Sequence, residues 1–184
     1  QTEDEDSPLK ATDFGLAGKL PPKGEVLARR CGTPSYMAPE VIERNYGSQA
    51  DVWSAGVVAY QLLSGRLPFV DTKNARPNAK EVFRAILEDD IDLVSDPWSS
   101  VSDEAKNFVR KLLDRDPESR PTARAALLHP WLTQSKASWR AKAAKGQDSA
   151  LDGQVVSRLQ RFATQGLLKR SVLRLIAKEL LSED

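Results

Sequence analysis

The sequence predicts a mainly α-helical globular body followed by a basic helical extension. Three observations carry this: four capped segments with helical apolar spacing, a long Pro- and Gly-marked loop ahead of them, and an uneven charge distribution. The chain has 184 residues, a formal net charge of +1 and a 40% hydrophobic fraction, the profile of a globular chain. Residues 1–135 carry 17 basic and 21 acidic groups, whereas residues 136–184 carry 10 basic and 5 acidic. That asymmetry separates an acidic body from a basic tail.

The elements follow in order. Residues 1–7 are acidic and polar, a solvated loop, and Pro8–Thr12 is long enough for one short strand. Residues 18–35 contain Pro21–Pro22 and read as a long loop, of a length usually either functional or disordered. Ser48–Ser64 is apolar nearly all round, so it is expected as the buried axis, capped by Ser48 and ended by Gly65. Asn78–Glu88 sets Val82, Phe83, Ile86 and Leu87 on one face. Ser102–Leu113 lacks a capping box, so Asp103 is expected as its cap, with Phe108, Val109, Leu112 and Leu113 as its core stripe. Thr122–Leu128 is a shorter helix behind Pro121. Ser135–Gly153, rich in Ala, Lys and Ser, reads as a linker, and Gln154–Leu181 as helical again with a break at Gly166.

Composition excludes several classes. No apolar run approaches the roughly 20 residues of a membrane helix. One cysteine, Cys31, allows neither an internal disulfide framework nor a multi-Cys zinc site, and a lone thiol fits a reducing compartment. The near-zero net charge argues against nucleic-acid binding.

The chemistry lies in an ordered set of short motifs. Asp13–Phe14–Gly15 alone is a weak signal, more readily an ordinary turn. It is followed by GTPSYMAPE at 32–40, then DVWSAG at 51–56, then Arg120–Pro121–Thr122, then His129–Pro130–Trp131. In that order and spacing, residues from about Leu9 to Leu132 resemble a serine/threonine protein kinase, from the DFG segment to the end of the catalytic domain. DVWSAGVVAYQLLSGRLPF (51–69), DIDLVSDPWSSVSDEAKNFVRKLL (90–113) and the tail at 155–184 are most similar to the calcium/calmodulin-dependent group, nearest to plant and protist calcium-dependent protein kinases.

The resemblance implies a fold and a division. Residues 1–132 would be the C-terminal part of the catalytic domain, a partial kinase-like large lobe. Residues 133–153 would be a linker, and 154–184 an autoinhibitory junction of amphipathic helices. It also implies roles. Asp13 would ligate the Mg²⁺ that bridges the phosphates of ATP, a task suited to a hard oxygen donor. Phe14 would pack into the lobe, and Gly15 would allow a turn where a Cβ clashes. Thr33 would lie beside the catalytic and substrate site, and Tyr36 and Met37 would shape the pocket for the residue after the phosphorylated one. Glu40 and Arg120 would form a buried ion pair, and Asp51 would sit beneath the catalytic loop, accepting backbone N–H groups. Trp53 and His129 are expected to be structural and Cys31 a plain loop residue.

The 184 residues contain no Gly-rich phosphate loop, VAIK-type lysine, HRD-type loop or EF-hand loop. Both ends are therefore expected to be cut, and this stretch alone to be inactive. Two hydroxyl-free positions, Arg29 and Arg30, precede Cys31 where many kinases carry a phosphorylated threonine, so the loop is expected to work without its own phosphate. In the tail, Leu159, Phe162, Leu168, Val172, Leu175 and Ile176 recur at helical spacing among basic residues, a pattern suited to the acidic-rimmed apolar groove of a calmodulin-like partner. By resemblance, the partners are protein substrates bearing Ser or Thr and a calmodulin-like EF-hand domain in cis or calmodulin in trans, with Ca²⁺ acting through those EF-hands. The expected compartment is the cytoplasm, with nuclear or membrane association through a segment preceding Gln1. Two alternatives stand beside this reading: a non-catalytic interaction module, and a pseudokinase fragment.

Overall fold

The computed structural model describes residues 13–22, 25–70 and 78–133. Within them a 3-10 turn, Pro34–Tyr36, leads into a short helix α1, Pro39–Ile42. Then come α2 (Gln49–Ser64), α3 (Ala79–Glu88), a second 3-10 turn at Trp98–Ser100, α4 (Asp103–Leu112) and α5 (Ala123–Leu127). The one β-type pairing among the described residues is an isolated antiparallel bridge between Leu27 and Tyr46. The mainly α reading holds. Pro8–Thr12 and the helical reading of 154–181 fall outside the described residues.

Local chemistry sets the ends of the helices. Gly65 closes α2 in the left-handed region (φ 74°), donating its N–H to the Gln61 carbonyl. Ser48 stands at the start of α2 in helical backbone geometry and makes no capping bond, unlike the expected cap. Asn78 opens α3 with a reciprocal box: its side chain accepts from Glu81 N (2.9 Å), and Glu81 Oε2 accepts from Asn78 N (3.2 Å). For α4 the cap is Ser102, whose Oγ accepts from Ala105 N; Asp103 instead occupies the first helical position. There its charge complements the helix dipole. Thr122 caps α5 in the same way.

Two apolar clusters hold these elements. The larger joins α1, α2 and α3 around Trp53, Val57, Tyr60, Ile86 and Trp98. Trp53 stacks on Phe69 with centroids 5.6 Å apart, and Tyr60 packs against Trp98 at 4.7 Å. The smaller gathers Val52, Phe108, Leu112 and Ala126, with Trp131 against it. His129 is structural: its Nε2 lies 3.1 Å from Asn107 Oδ1 and its ring meets Phe108 edge-on. Helices α2 and α4 touch at Gly56, where a Cβ would come 2.8 Å from Leu112 Cβ and 2.9 Å from Leu113 Cδ2. Only a glycine permits that approach.

Helix α2 is not buried all round. Asp51, Ala55, Val58 and Leu62, spaced along one face, are exposed, Val58 at 45% and Leu62 at 41%. The opposite face, with Trp53, Val57 and Tyr60, forms the core. The buried-axis expectation is correct for that half only, because nothing among the described residues covers the other. Asp51 lies on that uncovered face and makes no side-chain hydrogen bond among the described residues.

Candidate functional site: the activation segment and its anchor

The segment from Asp13 to Glu40 changes character along its length. At its start, Asp13 adopts a left-handed backbone (φ 65°), a conformation that short polar side chains tolerate. Its Oδ1 accepts a 3.4 Å bond from Gly15 N. Phe14 is 70% exposed and belongs to neither core cluster, contrary to the expected packing. Its carbonyl instead accepts from Ala17 N in a local turn. At Gly15 the expected clash reduces to a tight contact: a Cβ would lie 3.3 Å from Asp13 Oδ1, and the left-handed residue is Asp13 itself.

The far end is firmly held. Pro34 favours the 3-10 turn at its first position, with Thr33 exposed just before it. The Thr33 carbonyl accepts from Tyr36 N (3.0 Å). Tyr36 donates its hydroxyl to Gln61 Oε1 (2.7 Å), and Ser54 Oγ donates to the Tyr36 carbonyl (2.9 Å). Both partners lie on α2, so the turn is fastened to that helix. Burial pushes the Tyr36 phenol above its ordinary value. Met37 and Ala38 are buried in the larger cluster.

Glu40 then anchors the segment. Arg120 Nη1 donates to Glu40 Oε1 (2.6 Å) and Nη2 to Oε2 (3.1 Å), a bidentate pair with both side chains almost wholly buried. The guanidinium also donates to the Gln49 carbonyl (2.7 Å) and twice to the Asp114 carbonyl. Five bonds match its five N–H donors. Its central carbon lies over the Trp53 ring, 5.3 Å from the centroid. Gln49 Nε2 answers by donating to the Arg120 carbonyl (2.7 Å). One arginine thus joins α1, the start of α2 and the loop between α4 and α5.

The middle of the segment is pinned from the side. Leu27 and Tyr46 exchange backbone bonds of 2.9 and 3.1 Å, and the Tyr46 hydroxyl donates to the Arg29 carbonyl (2.7 Å). Cys31 Sγ lies 3.9 Å from that hydroxyl, a plain loop contact. Arg30 sets its guanidinium 5.3 Å above the Phe83 ring of α3. The contacts of Tyr46 and Phe83 are the ones sequence reading missed; residues 15 to 53 positions apart share no local pattern.

The structure therefore brings Thr33, Tyr36, Met37, Glu40 and Arg120 into one anchored unit, with Asp13–Gly15 at the exposed opposite end. Residues 159–176 lie outside the described residues. No group of three or more His, Cys, Asp or Glu side chains among the described residues could hold a metal, so Asp13 supplies a single carboxylate.

The protein kinase domain profile matches residues 2–132. The chain belongs to the protein kinase family. It is 45% identical over 182 residues to calcium-dependent protein kinase 25 of Arabidopsis thaliana, covering 99% of this chain and 32% of that protein. It is 44% identical over 180 residues to calcium-dependent protein kinase 11 of Oryza sativa, covering 98% and 29%. With calcium-dependent protein kinase SK5 of Glycine max it is 44% identical over 183 residues, covering 100% and 33%. The chain thus spans about a third of the length of these relatives. No helix among the described residues is long and apolar enough to cross a membrane.

Proposed function

We propose that this chain supplies the activation segment and helical lobe of a calcium-regulated serine/threonine kinase, which moves the γ-phosphate of ATP to protein Ser or Thr. The observation that carries this is the anchored turn: Thr33–Met37 is tied to α2, and Glu40 is locked by Arg120. Phosphoryl transfer relies on positioning, and a rigid platform for the acceptor is what this arrangement offers. Thr33 stands exposed at the edge of that platform, and Tyr36 and Met37 form the wall beside it.

Asp13 suits a share in Mg²⁺ binding. It is an exposed hard oxygen donor, and Mg²⁺ takes one or two carboxylates alongside phosphate oxygens and water. The ion, when bound, would neutralise charge on the nucleotide phosphates. Phe14 and Gly15 shape the turn that presents Asp13. Residues 1–132 are the kinase part, 133–153 the linker and 154–184 the regulatory junction. The relatives' names and the basic amphipathic pattern at 155–178 support calcium control through an EF-hand partner, in cis or as calmodulin. The lone thiol favours a cytoplasmic setting.

The test is phosphate transfer from Mg-ATP to Ser, Thr and Tyr versions of one peptide by the full-length protein. Ser or Thr labelling that rises with calcium is expected. In a Leu168→Asp/Ile176→Asp variant it should lose its calcium dependence. Labelling confined to Tyr would overturn the serine/threonine assignment, and no labelling the kinase reading; calcium dependence unchanged in the variant would overturn the junction.

A further inference from the structure

Next to the turn lies a feature that anchoring does not explain. Arg29 and Arg30 are adjacent, exposed, and outside every ion pair of the described residues. Arg30 is nonetheless held in place. Its guanidinium stands 5.3 Å from the centroid of Phe83, and Phe83 packs against the cluster that contains Met37 and carries Tyr36 at its edge. The backbone beneath is fixed too, since the Arg29 carbonyl accepts from the Tyr46 hydroxyl.

Set over the Phe83 ring and paired with no carboxylate among the described residues, the guanidinium keeps N–H donors for an anion. Because the side chain is already positioned, less freedom is lost when such an anion binds. Arg30 lies three residues before Thr33, a span of at most about 10 Å of extended chain. That is the reach of two to three residues of an extended peptide. Neutral or cationic side chains gain nothing from this site, and a lysine meets two like charges.

We propose that Arg30, seated on Phe83 beside Tyr36 and Met37, selects protein substrates with an acidic side chain within two residues after the acceptor Ser or Thr. The inference rests on the kinase reading above, which puts the acceptor at Thr33.

The test uses the full-length protein and peptides that differ only at the two positions after the acceptor, bearing Glu, Gln or Lys. A Glu-over-Gln preference of about three- to five-fold in kcat/KM is expected, the range of a well-placed exposed ion pair, and it should shrink in 0.5 M salt. Arg30→Ala should make the three peptides equivalent, and Arg30→Glu should favour Lys. Equal rates for the three peptides with the unaltered protein would overturn the inference while leaving the kinase reading intact. A Glu preference surviving in Arg30→Ala would overturn it as well. If no peptide is phosphorylated, the kinase reading fails, and fluorescence anisotropy of the same peptides decides the inference separately. Tighter binding of the Glu peptide that Arg30→Ala abolishes supports it; charge-independent binding, or none, overturns it.

Discussion

Replacing Glu40 by Ala removes two of the five hydrogen bonds that satisfy Arg120, at 2.6 and 3.1 Å, and leaves a guanidinium with no exposed side-chain surface. Breaking such a pair from one side costs about 3–5 kcal/mol, because the stranded charge keeps its desolvation penalty. The three carbonyl bonds to Gln49 and Asp114 remain, which places the loss toward the lower end of that range. With a urea slope of about 2 kcal/mol/M, the midpoint of the kinase domain should fall by about 1.5 M. Arg120→Ala strands Glu40 and frees the Gln49 and Asp114 carbonyls, so it should be at least as damaging. The double variant should cost clearly less than the sum, since the penalty of an unpaired buried charge is then counted once. Urea unfolding followed by tryptophan fluorescence reads the event directly, because Trp53 lies against Arg120. An unchanged midpoint for Glu40→Ala, or strict additivity, would refute the buried-pair reasoning.

Gly56→Ala should cost about 1–3 kcal/mol by forcing α2 off Leu112 and Leu113, and thermal melts will show it. Asn78→Ala removes the box at the start of α3 and should cost about 1 kcal/mol, with faster amide exchange confined to residues 79–82. Backbone bonds from Ser95 and Val94, aided by the Arg66 guanidinium, hold the Asp92 carboxyl below its ordinary range. Its stabilising contribution is therefore full above the ordinary carboxylate range and lost as pH falls through the depressed value. Asp92→Asn should flatten that part of an acid-unfolding curve. The loop should work without its own phosphate, since Tyr46 and Phe83 already hold Arg29 and Arg30. Mass spectrometry of active protein showing a stoichiometric, required loop phosphate would contradict this.

Much of the fold was readable because its signals are local. The apolar stripes of α3, apart from the exposed Leu87, and of α4, Gly65 after α2 and Thr122 before α5 are each settled within a few residues. The Ser102–Asp103 choice shows the limit: both residues cap helices, and one position decides which Oγ or carboxylate meets the free N–H. Burial on all sides was the weaker inference, since a helix's own residues do not say what covers each face. Asp51, Ala55, Val58 and Leu62 belong to an apolar sequence and yet stand exposed. The packing of Phe14 was an expectation from family likeness, and its described neighbours form only a local turn. The pairing of Glu40 with Arg120, 80 residues apart, came from family likeness rather than from any pattern in the chain. The Arg30–Phe83 and Tyr46–Arg29 contacts have neither support and needed coordinates.

The most direct test of the kinase account is the Mg²⁺ dependence of phosphate transfer by the full-length protein and its Asp13→Asn variant. Asp13 is exposed and its side chain makes only a local bond, so the variant should melt at the same temperature as the unaltered protein. Its phosphate transfer to a Ser/Thr peptide should nonetheless fall by at least about 100-fold, since transfer needs every charge-neutralising group in place. Any activity that remains should require more Mg²⁺. Equal activity and an equal Mg²⁺ requirement in the two folded proteins would contradict the assignment of Asp13 and, with it, the kinase chemistry proposed for this segment.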